Sequence, residues 1–366
     1  MNSIDLFVSN DLVTDQRMQR IAVWLYQHDY AVRVIGRIQK TSKPFSIHGV
    51  RTKRIQTLFE NGPFFYAVLN LRYMLIGLFS KANFLYSVDL DTLPGVKLAA
   101  RISGKEFIWD CHEIFTGIPE LTNRKFQRTL WTWIEKIFAR NISKVLTVTG
   151  SVQNYLLDHC GLLSTVIHNY PNKINTSSLL SQKLDSKVIL FQGAINQGRG
   201  LDILIQAMQF ISQDYILHLA GEGKERPGLE SLVRSLNLED RIKFLGQLIP
   251  EELKSETDAA YMGISLLNSE HQNSYASLAN KNLDYIMAGL PCITMNFPEY
   301  SRLNKQWEVA ILLDHADLEC VRNAIQHLIT NKKLYEHLHL ECLKAKEALN
   351  WEQESEKLTL IFRDIA

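Results

Sequence analysis

Residues 277–291 read SLANKNLDYIMAGLP, and the fold of the chain around them follows from that pattern. Leu283, Ile286 and Met287 recur at helical spacing, and Gly289 with Pro291 stops the helix ahead of the apolar run 292–295, CITM. A helix that runs straight into a short apolar strand is the repeating step of a parallel α/β sheet. Ser277 or Asn280 is placed to cap the first turn, so the helix is expected to begin in solvent and end against the sheet. A helix N-terminus carries unpaired N–H groups and about half a positive charge, a natural seat for a pyrophosphate. Lys281 adds a full charge there, and Asp284, one turn on along the same face, is an acceptor-only carboxylate suited to two ribose hydroxyls. A surface Lys–Asp pair on an ordinary amphipathic helix fits the same spacing, and both readings stand at this point.

Working outward, 366 residues exceed one ordinary core and imply two domains. Hydrophobic content of 46% and charged content of 22% are those of a globular chain. The net charge of +1 hides an asymmetry: the first 165 residues carry 20 Lys and Arg against 13 Asp and Glu, the remainder 20 against 26. A basic first half favours an anionic acceptor or membrane surface, or is an ordinary solvated face. Nucleic acid is excluded as a partner, because no finger, basic zipper or RNP motif accompanies the charge. Five cysteines without a C-x-x-C pair imply reduced thiols. The start, MNSIDLFVSNDLVTDQR, lacks a signal-peptide pattern, so a cytoplasmic location is expected. Residues 63–79, PFFYAVLNLRYMLIGLF, are short for a span and hold Asn70 and Arg72 at their centre. They read as a buried helix or as one lying at a membrane surface near Arg51, Lys53 and Arg54.

Strand-like runs at 4–9, 31–35, 84–88, 106–109, 145–148 and 165–167 alternate with helical patterns at 17–27, 64–79, 93–102, 124–139 and 152–157. The second half repeats the plan, with strands at 187–192, 215–220, 242–245, 263–266 and 292–295 and helices at 201–210, 229–236 and 251–257. The expected fold class is therefore α/β, two Rossmann-like doubly wound domains over 1–168 and 186–350 facing an interdomain cleft. The polar stretch 169–185 is the expected linker, and 351–366 an amphipathic helix returning to the first domain. Ligands in such sheets bind at the carboxyl ends of the strands, which brings Asp89, His112, Arg199 and the 277–291 helix into consideration together.

These residues carry a resemblance. The stretch 277–291 is similar to the donor helix of retaining GT-B glycosyltransferases of family 4, of the bacterial polysaccharide and lipopolysaccharide type, and the likeness extends over almost the whole chain. FQGAINQGRGLD (191–202) resembles that family's glycine loop with a cation at the donor diphosphate, and LHLAGEG (217–223) supports it. The first half matches through DQRM (15–18), SVDLDTLP (87–94) and WDCHE (109–113). The resemblance implies a metal-independent hexosyl transfer, without cofactor, from a UDP- or GDP-sugar to a hydroxyl of a glycan or lipid-linked acceptor in cell-surface polysaccharide synthesis. It assigns His112, Arg199 and Lys281 to catalysis, with no enzymic nucleophile. Donor binding falls to Gly193, Gly198, Gly221, Gly223, Gly246, Ser277, Leu278, Asn280 and Asp284. Acceptor binding falls to Arg17, Asp89, Asp91, Asp110 and Glu113, with Asp110 and Glu113 alternatively orienting the imidazole. Peripheral contact with the inner membrane face is expected of such an enzyme.

The chain departs from the family pattern in three places. Ala276 stands where the first of two glutamates usually lies, Ala194 replaces the second cation of the glycine loop, and residues 9–14 hold no glycine-rich turn. Three rival readings stay open. Asp89-Leu-Asp91 is a D-x-D of the kind that holds a divalent cation in GT-A transferases, although Asp91 before Thr-Leu-Pro also reads as a helix cap. A nucleotide-sugar epimerase of the same architecture needs a set of acids and bases, for which His112 and Glu113 are the candidates. A non-catalytic binding protein is compatible with Ala276 and Ala194.

Overall fold

The computed structural model describes residues 2–39, 42–57, 59–173 and 180–363. The chain divides into two compact units, Met1–Asn169 with Ser355–Ala366, and Tyr170–Glu354. In the first unit the elements run β1 (Ser3–Asp11), α1 (Gln16–Gln27), β2 (Ala31–Arg37), β3 (Arg51–Ile55), α2 (Pro63–Leu78), β4 (Phe84–Val88) and α3 (Asp89–Ser103). They continue with β5 (Glu106–Cys111), α4 (Lys125–Phe138), β6 (Lys144–Thr147), α5 (Gly150–Tyr155) and β7 (Thr165–Val166). All strands pair in parallel in the order β3-β2-β1-β4-β5-β6-β7.

The second unit holds α6 (Leu180–Asp185), β8 (Val188–Gln192), α7 (Leu201–Ala207), β9 (Ile216–Ala220), α8 (Arg226–Ser235), β10 (Ile242–Gly246) and α9 (Pro250–Ala259). Then follow β11 (Met262–Ser265), α10 (Gln272–Ala276), α11 (Asn280–Met287), β12 (Cys292–Met295), α12 (Pro298–Gln306), β13 (Ala310–Leu313), α13 (Leu318–Thr330), α14 (Lys332–Ala348) and α15 (Trp351–Glu354). Its parallel sheet has the order β10-β9-β8-β11-β12-β13. Strand order reverses between β1 and β4 in one unit and between β8 and β11 in the other, and each reversal opens a crevice at the carboxyl ends of the strands.

Packing follows the alternation of strand side chains. Ile189 and Phe191 of β8 enter one core with Leu217, Leu219, Ile205 and Val321, while Leu190 between them enters a second core with Leu283 and Ile286 of α11. In the first unit Phe7 and Leu85 pack against Leu69 and Tyr73 of α2 and Val96 and Ala99 of α3. Helices α2 and α3 approach closely because a Cβ on Gly95 would lie 2.2 Å from the Asn70 carbonyl oxygen. Asn70, the polar residue inside the apolar stretch 63–79, clamps that crossing: its amide donates to Asp91 O at 2.8 Å and accepts from Gly95 N–H at 2.8 Å. Among the described residues no helix is long and apolar enough to cross a membrane.

Several expectations are corrected. The 351–366 stretch is not one helix: α15 gives way to a 3₁₀ turn, Ser355–Lys357, and then α16 (Leu358–Arg363), whose Phe362 packs near Trp24 and Tyr30. Of the 169–185 stretch, residues 174–179 lie outside the described residues, and 180–185 form α6 with Lys183 fully buried. Strands β3 and β13 are additional to the expected set. The helix expected at 152–157 begins at Gly150 and passes into a π-turn, Leu156–Cys160.

Candidate active site

In the second unit the turn after β8 needs glycine for local reasons. Gly193, Gly198 and Gly200 hold φ of 122°, 80° and 61°, values L-residues rarely adopt. This loop is zipped to the one after β9: Gly193 N–H donates to Ala220 O and Ile195 N–H to Glu222 O, both at 2.9 Å. A Cβ on Gly221 would fall 1.9 Å from Gly193 O, and one on Gly223 2.1 Å from Ile195 O. Gly221 in turn bridges to Gly246 at the end of β10. Glycines 193, 221, 223 and 246 therefore form one backbone platform.

Helix α11 starts beside that platform, and its start differs from expectation. The N-cap is Ala279, with no side-chain cap. Ser277 turns back to donate to Ser274 O at 2.9 Å, Asn280 is the first helical residue, and Ala279 N–H donates to Tyr300 Oη at 2.9 Å. Asn280 is exposed, but Lys281, Asn282 and Leu283 behind it are buried. Lys281 is 9% exposed, and its ammonium has no hydrogen-bond partner. Nζ lies 3.8 Å from the centroid of the Phe191 ring, and a Cβ on Gly193 would approach it to 3.5 Å. Burial, followed by the nearby charge of Arg199, holds the lysine pKa well below its usual value. An unpaired buried ammonium costs several kcal/mol, so this position is poised for an anion at the Gly193 platform.

One turn on, Asp284 is half-buried and accepts from Gln192 Nε2 at 2.8 Å, while Gln192 accepts from Thr257 at 2.9 Å. Arg199 lines a cavity of about 590 Å³ with Gly198, Asp202, Asn268, Met295 and Asp314, at the carboxyl ends of β8, β11, β12 and β13. That volume suits a small ligand. Lys281 and Asp284 lie outside its lining. The unpaired cation, rather than the size of the cavity, marks the anion position.

In the first unit the crevice after β4 and β5 holds a polar cluster. Asp89 sits at φ 56°, an uncommon conformation for a non-glycine residue. His112 N–H donates to Asp89 Oδ1 at 2.7 Å and Trp109 Nε1 to Asp89 O at 3.0 Å. The His112 ring lies between two carboxylates, Nε2 2.9 Å from Asp110 Oδ2 and Nδ1 3.6 Å from Asp89 Oδ2. Burial disfavours the imidazolium, but the charges of Asp110 and Asp89 outweigh it and raise the pKa to about 9. Nε2 faces both Asp110 Oδ2 and the Arg17 Nε–H, the latter at 3.0 Å, and in the imidazolium its proton points to Asp110, whereas the longer Nδ1 separation leaves that N–H for a hydroxyl. Burial raises the carboxyl groups of Asp89 and of Asp91 to about 7.

Two expected acceptor contacts are corrected here. Asp110 is 0% exposed and Arg17 3%. Arg17 pairs with Asp110 at 3.0 and 3.1 Å and donates to Ile167 O, while Tyr86 Oη donates to Asp110 Oδ2 at 2.6 Å. Against the upward push of burial, Arg17 and His112 hold Asp110 far below the carboxylate range. Both side chains are committed inside the unit, where they fix the imidazole. Asp91 is not the helix cap either: α3 begins at Asp89, and Asp91 lies in its first turn with one buried oxygen unpartnered. Glu113 is half-buried beside this cluster. Among the described residues no group of three or more His, Cys, Asp or Glu has metal-holding geometry. Sequence reasoning gave no role to Phe191, Gln192 or Tyr86, which stood only within strand-like runs.

Residues 176–340 match the family model described as glycosyl transferases group 1. An uncharacterized glycosyltransferase of Haemophilus influenzae is 23% identical over 236 residues, 63% of this chain and 62% of that protein. The chain thus spans about three-fifths of the length of that relative. Among solved structures, sucrose-phosphate synthase from Thermosynechococcus elongatus superposes with a TM-score of 0.83 at 17% identity, covering 100% of this chain and 99% of that one. Anabaena HepE in complex with UDP gives 0.73 at 15%, covering 100% of both. The two parallel sheets match the GT-B fold.

Proposed function

We propose, from the premise that this chain is a member of the group 1 glycosyltransferases, family 4, that it moves a sugar from a UDP- or GDP-sugar to a hydroxyl with retention at the anomeric carbon. The acceptor is a glycan or lipid-linked intermediate of cell-surface polysaccharide synthesis, reached from the cytoplasm at the inner membrane face. The observation that carries the reading is the buried, unpartnered ammonium of Lys281 beside the Gly193 platform and the charge of Arg199.

Lys281 and Arg199 neutralise charge that grows on the diphosphate as the glycosidic bond breaks, an interaction stronger in the transition state than before it. The departing phosphate oxygen takes the acceptor proton, so no protein nucleophile is invoked. Asp284, steadied by Gln192, takes ribose hydroxyls, and the base lies near Gly246. His112, held cationic by Asp110, offers its Nδ1–H to a sugar hydroxyl and positions rather than attacks. Ala276 removes one carboxylate from the donor side, which favours a donor with less need for it.

Calorimetry with UDP, GDP and their hexose conjugates tests this reading, with native protein and with Lys281→Met and Arg199→Ala. Micromolar binding that both variants weaken, followed by sugar transfer to an acceptor with the donor's anomeric configuration, is the expected result. Binding indifferent to both variants would refute the diphosphate seat. Conversion of the donor to an epimer without acceptor would replace transfer by epimerisation.

A further inference from the structure

The crevice at the carboxyl ends of β1, β4 and β5 is acidic, although the unit around it is basic. Asp91, in the first turn of α3, is 6% exposed, accepts from the Ser9 hydroxyl and keeps Oδ1 without a partner. Asp15, the N-cap of α1, accepts from Met18 N–H through Oδ1 at 3.1 Å and likewise keeps a buried Oδ2 without a partner. Each orphaned oxygen is an acceptor for which the free protein supplies no donor, a state that costs free energy until a ligand brings one.

Further carboxylates crowd the same place. Glu113 follows β5, and its charge is felt at Asp91. The half-buried Tyr66 of α2 feels Asp91, Glu113 and Glu120 together: burial first, and then these charges, push its hydroxyl up to about 12 against the opposing pull of Arg37. Cations in the neighbourhood are engaged elsewhere. Arg17 is committed to Asp110 and Ile167 O, and His112 stands between Asp110 and Asp89. Arg37 lies over the Phe65 ring at 4.6 Å and donates to Glu60 O at 2.7 Å. Among the described residues neither Asp15 nor Asp91 forms an ion pair with a lysine or arginine. Burial comes first in raising the Asp91 carboxyl to about 7, and the Glu113 charge adds to it, so near neutrality the crevice is short of positive charge.

That shortage selects the ligand. A sugar hydroxyl brings a donor but no charge, whereas an alkylammonium brings three donors, no acceptor and the missing charge. We propose that the acceptor held in this crevice is an amino sugar with a free, protonated amine, its ammonium on Asp91 and Glu113 and a neighbouring hydroxyl receiving the transferred sugar. The inference rests on the proposed function in taking this crevice as the acceptor side, and it narrows the acceptor from any glycan to an aminated one. It also reverses the anionic acceptor expected from the charge of the first half, which counts cations without placing them.

The probes are methyl hexopyranosides carrying a free amine in place of one hydroxyl, each beside its N-acetylated form. They are titrated calorimetrically into the native full chain, with and without UDP, just above neutral pH. At least one free amine is expected to bind about tenfold or more tighter than its acetylated form. Asp91→Asn, or Glu113→Gln should the first variant fail to fold, removes most of that preference and leaves UDP affinity native, since neither residue touches the nucleotide site. In transfer assays either variant raises KM for the aminated acceptor more than it lowers kcat, as loss of ground-state binding requires. Amines that bind no tighter than their acetylated forms, or a preference that survives both variants, would overturn the proposal. UDP titration of the native protein separates the two readings. Loss of UDP binding with the amine preference intact defeats the donor site and leaves the aminated acceptor standing, and the converse result does the reverse.

Discussion

Replacing Lys281 with methionine is expected to move stability and ligand affinity in opposite directions. In the free protein the side chain is a buried cation with no hydrogen-bond partner, over Phe191 at 3.8 Å. Methionine fits the same channel without the cost of desolvating a charge, so stability should hold or rise by about 1–2 kcal/mol, or about 2–4 °C of melting temperature per kcal/mol for a unit of this size. A diphosphate oxygen about 4 Å from the ammonium gains roughly 4 kcal/mol at an effective dielectric near 20. Arg199 and the backbone platform share the anion, so the loss in UDP affinity should be about 2–3 kcal/mol, roughly 30- to 150-fold. The pH dependence carries the same sign information. Because the folded lysine pKa lies below its usual 10.5, the unfolded state binds more protons in the window between the two values. Stability of the free protein therefore rises with pH there, and UDP binding takes up a proton. Differential scanning fluorimetry, and calorimetry in two buffers of different ionisation enthalpy, measure these quantities. A Lys281→Met protein that melts several degrees lower while binding UDP as tightly as the native one would refute the reasoning.

Other outcomes follow from the same geometry. Gly221→Ala drives a Cβ to 1.9 Å from Gly193 O at φ 152°, so it should cost about 2 kcal/mol or more and weaken UDP binding. Gly228→Ala in α8, with open space around it, should be neutral or stabilise by up to about 1 kcal/mol; denaturant titration compares the two. Asp110→Asn leaves Arg17 buried without its counter-charge and should lose about 3–5 kcal/mol, read by thermal melting. His112 rises to about 9, so the stability it contributes is complete below its unfolded value near 6.5 and is lost as pH climbs through 9. Asp89 and Asp91 rise to about 7, which lowers stability as pH climbs from 4 to 7. The catalytic rate constant should fall above pH 9 in the native enzyme, and His112→Gln should lack that limb.

The parallel architecture was legible because its signals are local. Cys292–Met295 is a pure apolar run behind a glycine stop, and the structure ends it where the sequence does. Strand β3, RTKRI, escaped because cations at three of its five positions on a sheet edge mimic a loop, and β13, AILL, because it lacks the glycine stop that marks the equally short β12. Lys281 was visible as a cation at a helix start. Its burial was not, since Phe191 and Gly193 arrive from a strand far earlier in the chain. Arg17 and Asp110 failed as acceptor contacts for the same reason: nothing around either residue announces that α1 and β5 bring them together inside a core. Helix α4 shows a different limit. Its sequence carries apolar residues on more than one side, Trp131 on one and Phe126 with Trp133 on another, but only the packed structure shows which of them faces water.

A crystal soaked with UDP tests the central claim most directly. The account requires diphosphate density at the Gly193 platform, with a phosphate oxygen within about 3 Å of Lys281 Nζ and Arg199 turned toward it. Density seated away from both cations, with the Lys281 ammonium still unpartnered, would contradict it.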